Sequence, residues 1–250
     1  AFTRADLVEL IGAQLPVALG ADDGVAAGVE TVARSPREVI EAAVDHVGMR
    51  LTAPRLAHQR EGHERYTIDR ILAEERAVLD LVDARDVRSQ LWLRDESYKE
   101  GLSPDQARAV ANIATSPWLV QPLSAPAGAG KTTSLRALAA LARRRHTARV
   151  IVLAPTGKAV DVAVREGAGD QGYTVAKALR SLRGETLKLT HLDLVIVDEA
   201  GMVGTDDLRH LLATTTKTNT KTVLVGDGHQ LAPVKARGGM FAHLCADLPW

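Results

Sequence analysis

A glycine-rich turn at residues 124–134 constrains the fold of this chain more than any other feature. Its sequence, Ser-Ala-Pro-Ala-Gly-Ala-Gly-Lys-Thr-Thr-Ser, contains Gly130, Lys131 and Thr132 in succession. Small residues let backbone N–H groups turn toward phosphate oxygens, a lysine reaches the terminal phosphates, and a hydroxyl can bind Mg²⁺. A strand is predicted at residues 118–120 and a helix at 135–142, so the positive end of the helix faces the anion. We therefore expect a strand–loop–helix unit that binds phosphate.

The residues expected to contact phosphate are Gly128, Ala129, Gly130, Lys131, Thr132 and Thr133. The strict form of such a loop has glycine at the position of Ala125, and alanine suits that position only if its φ is negative. The alternative interpretation is a glycine-rich loop that binds no ligand.

Composition excludes several classes of protein. The chain has 250 residues, of which 46% are hydrophobic, and it has no apolar run long enough to span a membrane. Its start has no apolar segment typical of a secretory signal, so we expect a cytoplasmic protein without a membrane partner. Cys245 is the single cysteine, which excludes an internal disulfide and a cysteine-based zinc site. Because residue 1 is alanine, we also expect a piece of a longer chain.

Charge is unevenly distributed, although the net charge is zero. Acidic side chains are in excess in the first hundred residues, and basic side chains are in excess in the remainder. The basic part contains the phosphate turn, which is compatible with a polyanionic partner there. An ordinary solvated surface is the alternative.

The first hundred residues are predicted to be mainly helical. Ser35 and Glu38 form a capping box for a helix that ends at Gly48, and Thr67 can begin a longer helix. Residues 49–53 and 65–68 can pair as a small hairpin. The charged stretch at 91–101 resembles a linker, so we expect a smaller, mainly helical subdomain and linker at residues 1–100.

After residue 101 the pattern changes to strands alternating with helices. Apolar runs at 150–153, 192–197 and 222–225 are each bounded by turn residues or a helical segment. This alternation predicts an α/β fold, in which a parallel sheet is covered on both faces.

A pair of acids follows the second of these strands. Asp198 and Glu199 come directly after Leu194-Val195-Ile196-Val197, at the edge of the sheet where α/β folds bind ligands. The first acid suits the coordination shell of Mg²⁺, and the second can orient and deprotonate an attacking water.

A third motif follows the last strand, which ends in Gly226 and Asp227, with Gln230 three residues later. Together the three motifs resemble motifs I, II and III of superfamily 1 helicases, in the RecD-like branch. The resemblance implies a RecA-like P-loop NTPase domain that binds ATP and Mg²⁺, in which Lys131 and Glu199 are catalytic, Thr132 and Asp198 hold the metal, and Gln230 senses the γ-phosphate. The chain departs from that pattern at Gly201, where relatives often have serine, and at Ala232, where they often have proline.

Two further segments resemble motifs of this branch that contact single-stranded DNA. Thr156 and Lys158 follow a strand in a motif Ia-like sequence, and Thr174 begins the next, with Ala176 where relatives often have histidine. The resemblance implies that these side chains meet backbone phosphates. A solvated strand-to-helix turn and a simple helix cap are the alternatives.

Gln106 belongs to a segment that resembles the Q motif, whose glutamine reads the adenine edge. The same residue completes a capping box with Ser103, with Pro104 at the first helical position. The two roles coexist only in part, because one amide has few hydrogen bonds to give.

Residues 64–75 resemble the segment that precedes the motor in MobF-type conjugative relaxase-helicases. Such proteins carry a separate nicking (relaxase) domain with a catalytic tyrosine and a three-histidine metal cluster. The eight histidines of this chain are scattered, so we predict no nicking site within it and expect such a domain N-terminal to it.

We interpret residues 101–250 as the first motor domain of an ATP-dependent DNA helicase, which in the intact protein moves 5′→3′ on single-stranded DNA. The second RecA-like domain and its arginines are absent, so the fragment is expected to fold but to hydrolyse little ATP. Two other classes stay open. One is a P-loop ATPase without helicase activity, such as a kinase or a transporter ATPase, although the Leu-Ser-Gly-Gly-Gln signature of the latter is missing. The other is a non-catalytic module that binds nucleotide or DNA.

Overall fold

The computed structural model describes residues 2–3, 42–44, 46, 48–51, 65–93, 95–126, 130–145, 147–227 and 239–247. The chain divides into two compact units, Ala1–Ala73 and Glu74–Trp250. Each unit is described separately below.

The described part of the first unit contains a small antiparallel sheet. Its strands are β1 (Phe2–Thr3), β2 (Met49–Leu51) and β3 (Arg65–Thr67), in the order β1-β3-β2. The predicted hairpin is therefore confirmed, with Arg50 opposite Tyr66, and a third strand extends it. Residues 42–44 and 46 are helical, and the start of the helix predicted from Ser35 lies outside the described residues.

Helix α1 (Asp69–Val82) begins in the first unit and continues into the second. The predicted cap, Thr67, is instead the last residue of β3, and the carbonyl of Ile68 accepts the first helical hydrogen bonds. Val78 and Val82 are buried in the core of the second unit.

The segment predicted as a linker is folded into the second unit. Leu91 is only 2% exposed, and residues Glu96–Lys99 form a 3₁₀ helix whose N-cap is Asp95. The division between compact units accordingly lies at residue 73 and not near residue 100. Charge and irregular structure suggested a linker, but Leu91 is buried in a core cluster, and Leu93, Tyr98 and Leu102 pack against that cluster.

A five-stranded parallel sheet forms the centre of the second unit. Its strands are β4 (Val120–Ser124), β5 (Val150–Ala154), β6 (Gln171–Thr174), β7 (Leu194–Val197) and β8 (Lys221–Gly226), in the order β4-β8-β7-β5-β6. The three predicted strands are confirmed as β5, β7 and β8. The strand expected at 118–120 begins two residues later, and β6 was not predicted.

Helices cover both faces of this sheet, as the alternation predicted. They are α2 (Pro104–Thr115), α3 (Lys131–Arg143), α4 (Gly157–Arg165), α5 (Val175–Arg183), α6 (Thr205–Lys217) and α7 (Met240–Asp247). Successive strand side chains point to opposite faces, so Val150 and Val152 join one core cluster while Ile151 and Leu153 join the other. The first cluster contains side chains of α2, α3 and α4, and the second contains those of α1, α5, α6 and α7.

Candidate functional site

The phosphate turn leads directly into α3, as predicted. Gly130 is the N-cap of this helix in a left-handed conformation (φ 71°), and no side chain caps the helix within the described residues. The N–H of Thr133 donates to the Gly130 carbonyl at 3.0 Å, so an anion would face the N–H groups of the first two residues of α3. Ala127, Gly128 and Ala129 lie outside the described residues. Ala125 is not among the described residues with positive φ, so the departure from glycine there carries no backbone penalty.

Gln106 packs against the turn. A Cβ at Gly130 would lie 2.3 Å from Nε2 of Gln106, so a side chain at position 130 would collide with it. The predicted capping box is present, since the Oε1 of Gln106 accepts from the Ser103 N–H at 2.9 Å. Its Nε2 donates to the Gly130 carbonyl at 3.4 Å. Gln106 thus connects α2 to the phosphate turn.

Lys131 and Asp198 form an ion pair across the site. The Nζ of Lys131 lies 2.6 Å from Oδ1 of Asp198, and the two side chains are 29% and 12% exposed. Lys131 begins α3 after β4, and Asp198 follows β7, with β8 between these two strands. The carboxyl ends of parallel strands meet at one edge of a sheet, which brings together residues far apart in the sequence.

Glu199 has a left-handed backbone conformation, with φ 52° and ψ 38°. Its N–H donates to Oδ1 of Asp198 at 2.8 Å, and this hydrogen bond fixes the orientation of the Asp198 carboxylate relative to the turn. Glu199 and Asp198 line the same cleft as Lys131.

Gly201 and Gly226 make close backbone contacts behind this turn. A Cβ at Gly226 would lie 3.2 Å from the Gly201 nitrogen and 3.0 Å from Cε1 of Phe241. A Cβ at Gly201 would lie 3.3 Å from the Asp227 carbonyl oxygen. The glycine at position 201 therefore suits the tight packing between the β7 and β8 turns.

Thr132 contacts a residue that the sequence analysis did not single out. Its Oγ1 donates to Oε2 of Glu166 at 3.0 Å. Glu166 is the C-cap of α4, and helix residues three or four apart place Lys158, Val162 and Glu166 on one face. No motif includes Glu166, and spacing relative to Thr132 gives no signal because the two residues lie on different helices.

One cleft of about 470 Å³ contains these side chains. It is lined by Lys131, Thr132, Leu135, Thr156, Lys158, Ala159, Val162, Ala163, Glu166, Ala168, Asp198 and Glu199. The structure therefore brings Thr156 and Lys158, predicted to contact DNA, to the same cleft as the residues predicted to bind phosphate and metal. Thr156 also caps α4, where its Oγ1 accepts from the Ala159 N–H.

Several of the predicted site residues are not among those that line this cleft. Thr174 caps α5 by accepting from the Lys177 N–H, and it is not among the residues that line the cleft. Thr133 lines a second cleft of about 620 Å³, together with Tyr98 and Arg136. Gln230 lies outside the described residues.

The residues present fit a nucleotide with its metal. Carboxylate and hydroxyl oxygens are the ligands that Mg²⁺ prefers, and Asp198, Glu199 and Thr132 supply them around one cleft. Because the Thr132 hydroxyl uses its proton toward Glu166, its lone pairs stay free for a metal ion. Lys131 and the uncapped start of α3 supply the positive charge that phosphates need.

Other candidate sites are not found in the described part of the chain. It holds no group of three or more histidine, cysteine, aspartate or glutamate side chains arranged to bind a metal ion. None of its helices combines the length and the apolar character needed to cross a membrane.

Comparisons with known proteins place this site in context. Residues 101–250 match the AAA_30 family, described as an AAA domain. A conjugal transfer protein TraA of Rhizobium radiobacter is 38% identical over 138 residues, which are 55% of this chain and 12% of that protein. The RecBCD enzyme subunit RecD of Mycolicibacterium smegmatis is 32% identical over 214 residues, covering 72% of this chain and 37% of that protein.

The chain thus spans only a small part of the length of these relatives. Among solved structures, it resembles the UvsW helicase of bacteriophage T4, with a TM-score of 0.43 and 10% identity. That likeness covers 67% of this chain and 63% of the helicase chain.

Proposed function

Because the chain belongs to the AAA_30 family of AAA domains and has the features of a RecD-like helicase motor, we propose that its second unit is the ATP-binding part of a DNA motor. One observation carries this proposal. Lys131 and Thr132 come from one motif and Asp198 and Glu199 from another, yet all four line one cleft at the carboxyl edge of a parallel sheet.

In this proposal each residue of the cleft has a distinct role. Lys131 binds the terminal phosphates, Thr132 and Asp198 hold Mg²⁺, and Glu199 orients and deprotonates the attacking water. The Lys131–Asp198 ion pair would be exchanged for contacts with phosphate and metal when nucleotide binds. Magnesium, when bound, neutralises charge that develops on the phosphates.

The remaining nucleotide contacts are proposed from the sequence motifs. Backbone N–H groups of Gly128, Ala129 and Gly130 would hold phosphate oxygens, and Gln230 would sense the γ-phosphate. The Thr133 N–H, which donates to the Gly130 carbonyl at 3.0 Å, would exchange that bond for a phosphate oxygen. Gln106 would read the adenine edge. Since its Oε1 already accepts from Ser103, only the remaining hydrogen-bonding capacity of its amide would serve the base.

Single-stranded DNA is the proposed second ligand. Thr156 and Lys158 lie at the exposed start of α4, and Thr174 starts α5 at the end of the neighbouring strand β6. A hydroxyl, an ammonium group and helix N-termini are groups that commonly contact nucleic-acid phosphates. These contacts would position the strand without reading its sequence.

Unwinding and transport belong to the longer protein. The match covers only 12% of the TraA relative and 37% of the RecD relative, so we propose that translocation, 5′→3′ polarity and a role in conjugal DNA transfer need further domains. A second RecA-like domain supplies arginines to such sites, and an arginine finger is worth about 10³–10⁵ in rate. We therefore expect the 250-residue chain alone to hydrolyse little ATP. We propose a cytoplasmic location for the intact protein.

Hydrolysis with and without single-stranded DNA tests this function. We expect oligothymidylate to stimulate ATP hydrolysis by a longer protein that contains this chain. Glu199→Gln should lower that rate about 10²–10⁴-fold while nucleotide still binds, because it removes the proposed general base.

Glu185→Gln is the matched control, since Glu185 is also a glutamate at positive φ (54°) but lies in the turn after α5. It should leave the rate unchanged. A Glu199→Gln variant that hydrolyses ATP within a few-fold of the wild type would overturn the assignment of the base. Hydrolysis indifferent to DNA would favour an ATPase that does not move on DNA.

A further inference from the structure

One face of helix α4 forms a wall of the cleft along the whole length of the helix. Lys158 and Ala159 lie near its start, Val162 and Ala163 in its middle, and Glu166 at its end. Nine helical residues span about 13.5 Å. The helix therefore joins the proposed DNA contacts at one end to the Glu166 carboxylate at the other.

The contact of Glu166 with Thr132 is compatible with metal binding. A hydroxyl has one proton to donate and two lone pairs to share. In this structure the proton points to Oε2 of Glu166 at 3.0 Å, which fixes the rotation of the hydroxyl and leaves its lone pairs available. Groups that orient a metal ligand in this way typically raise metal affinity about 10–100-fold.

The charge of the cleft also favours a cation near Glu166. Three carboxylates, those of Glu166, Asp198 and Glu199, line it together with only two ammonium groups, those of Lys131 and Lys158. Asp198 already pairs with Lys131. An excess of acidic side chains around a cleft gives it a potential that attracts cations.

Helix α4 is held tightly to the sheet. A Cβ at Gly172 of β6 would lie 2.4 Å from Cγ1 of Val160 and 2.8 Å from Cγ2 of Val164, so the strand and the helix are in close contact. Both ends of the helix are also capped, by the Thr156 side chain and by the Glu166 N–H. The helix is therefore a firmly packed element that connects its two ends.

We propose that Glu166 is a positioning residue that orients Thr132 for Mg²⁺, and that α4 couples this metal site to a single DNA strand bound at Thr156 and Lys158. The inference rests on the proposed function, because it assigns regulation to the same nucleotide site. It assigns a role to Glu166, which lies outside the motifs, and it identifies α4 as the element through which bound DNA would alter the affinity for Mg²⁺.

A magnesium titration tests the positioning role. Binding of a fluorescent ATP analogue would be measured against Mg²⁺ concentration for the wild type, Glu166→Ala and Glu166→Gln. We expect Glu166→Ala to raise the Mg²⁺ midpoint about 10-fold or more while leaving metal-free nucleotide affinity unchanged. The Mg²⁺ midpoint of Glu166→Gln should lie between those of the wild type and Glu166→Ala, because the glutamine amide oxygen still accepts from Thr132 although the charge is lost.

Asp161→Ala is the matched control, because Asp161 is an exposed acid on α4 that does not line the cleft. Its Mg²⁺ midpoint should equal that of the wild type. A Glu166→Ala midpoint within twofold of the wild type would overturn the positioning role. If the Mg²⁺ midpoint of Glu166→Gln were as high as that of Glu166→Ala, the hydrogen bond to Thr132 could not be the cause of the effect.

Repeating the titration with oligothymidylate tests the coupling. We expect the oligonucleotide to shift the Mg²⁺ midpoint of the wild type and of Asp161→Ala, and to have no effect on Glu166→Ala. An equal shift in Glu166→Ala, or none in the wild type, would overturn the coupling. A wild-type chain that binds no nucleotide at any Mg²⁺ concentration would instead overturn the proposed function itself.

Discussion

Glu199 lines the cleft and has a left-handed backbone conformation, which is unfavourable for a residue other than glycine. A left-handed conformation costs a residue other than glycine about 1–2 kcal/mol. Among the described residues other than glycine, three more have positive φ. These are Thr147, Glu185 and Asn219, which follow the ends of helices α3, α5 and α6. Because such conformations cluster at functional sites, the backbone of Glu199 is consistent with its proposed role.

Lys221 is a buried lysine at the opposite end of the sheet from the cleft. Its side chain is fully buried, and its Nζ donates to the carbonyls of Ser116 at 2.8 Å and Trp118 at 3.0 Å. Burial, and to a smaller extent the charge of Arg145, lowers the pKa of Lys221 to about 7. A neutral amine still has two N–H groups for the two carbonyls.

This lowered pKa predicts a pH-dependent stability. Between pH 7 and pH 8.5 the unfolded chain keeps the Lys221 proton while the folded chain releases it, so the free energy of unfolding should rise with pH. The contribution is at most about 1.4 kcal/mol per pH unit. Urea unfolding at pH 6.5, 7.5 and 8.5 measures it. Lys221→Met should remove this rise, whereas Lys217→Met, at an exposed position on α6, should keep it. Equal slopes in all three proteins would contradict the lowered pKa.

The motif residues could be predicted from the sequence, but their partners could not. Lys131, Asp198 and Glu199 stand in patterns whose spacing and flanking strands indicate their chemistry, and the structure brings them to one cleft. Glu166 and Lys221 stand in no pattern. The role of each depends on tertiary contacts. Glu166 contacts the Thr132 hydroxyl, and Lys221 contacts two backbone carbonyls.

At the scale of elements, the edge strands differ most from what the sequence indicated. The central strands contain buried apolar runs and were predicted. β6 lies at one edge, and its four residues are exposed or half-buried, so it has no apolar run that would indicate a strand. β4 lies at the other edge, which explains why Pro122 is tolerated there, since proline cannot donate to a central ladder.

Helix α1 stabilises the second unit through its buried face. Val78 is 0% exposed and packs in the same cluster as α5, α6 and α7. We expect Val78→Ala to lower the free energy of unfolding by about 2 kcal/mol, because it removes buried methyl groups and leaves a cavity. Val87→Ala makes the same chemical change at a position that is 69% exposed, and should cost less than about 0.5 kcal/mol. Urea denaturation followed by circular dichroism measures both, and equal losses would contradict the assignment of α1 to this core.

At the scale of the whole molecule, the sequence indicated the fold class but not the division into units. Strands that alternate with helices leave few alternatives to a parallel sheet covered on both faces, and the resemblance to RecD-like motors is confirmed by the family match and the relatives. Residues 91–101 were predicted as a linker because they are charged and irregular. The burial of Leu91 and the contact pattern of the chain show that they belong to the second unit.

Binding of Mg²⁺-ATP by this chain is the central claim, and one titration tests it most directly. A fluorescent ATP analogue would be titrated into the wild type, Lys131→Ala and Lys217→Ala, with circular dichroism to verify the fold. Lys131 faces the cleft, so its loss should abolish measurable binding without unfolding the protein. Lys217 lies at the exposed end of α6, and its replacement should leave the affinity unchanged. Unchanged affinity in a folded Lys131→Ala variant would contradict the account.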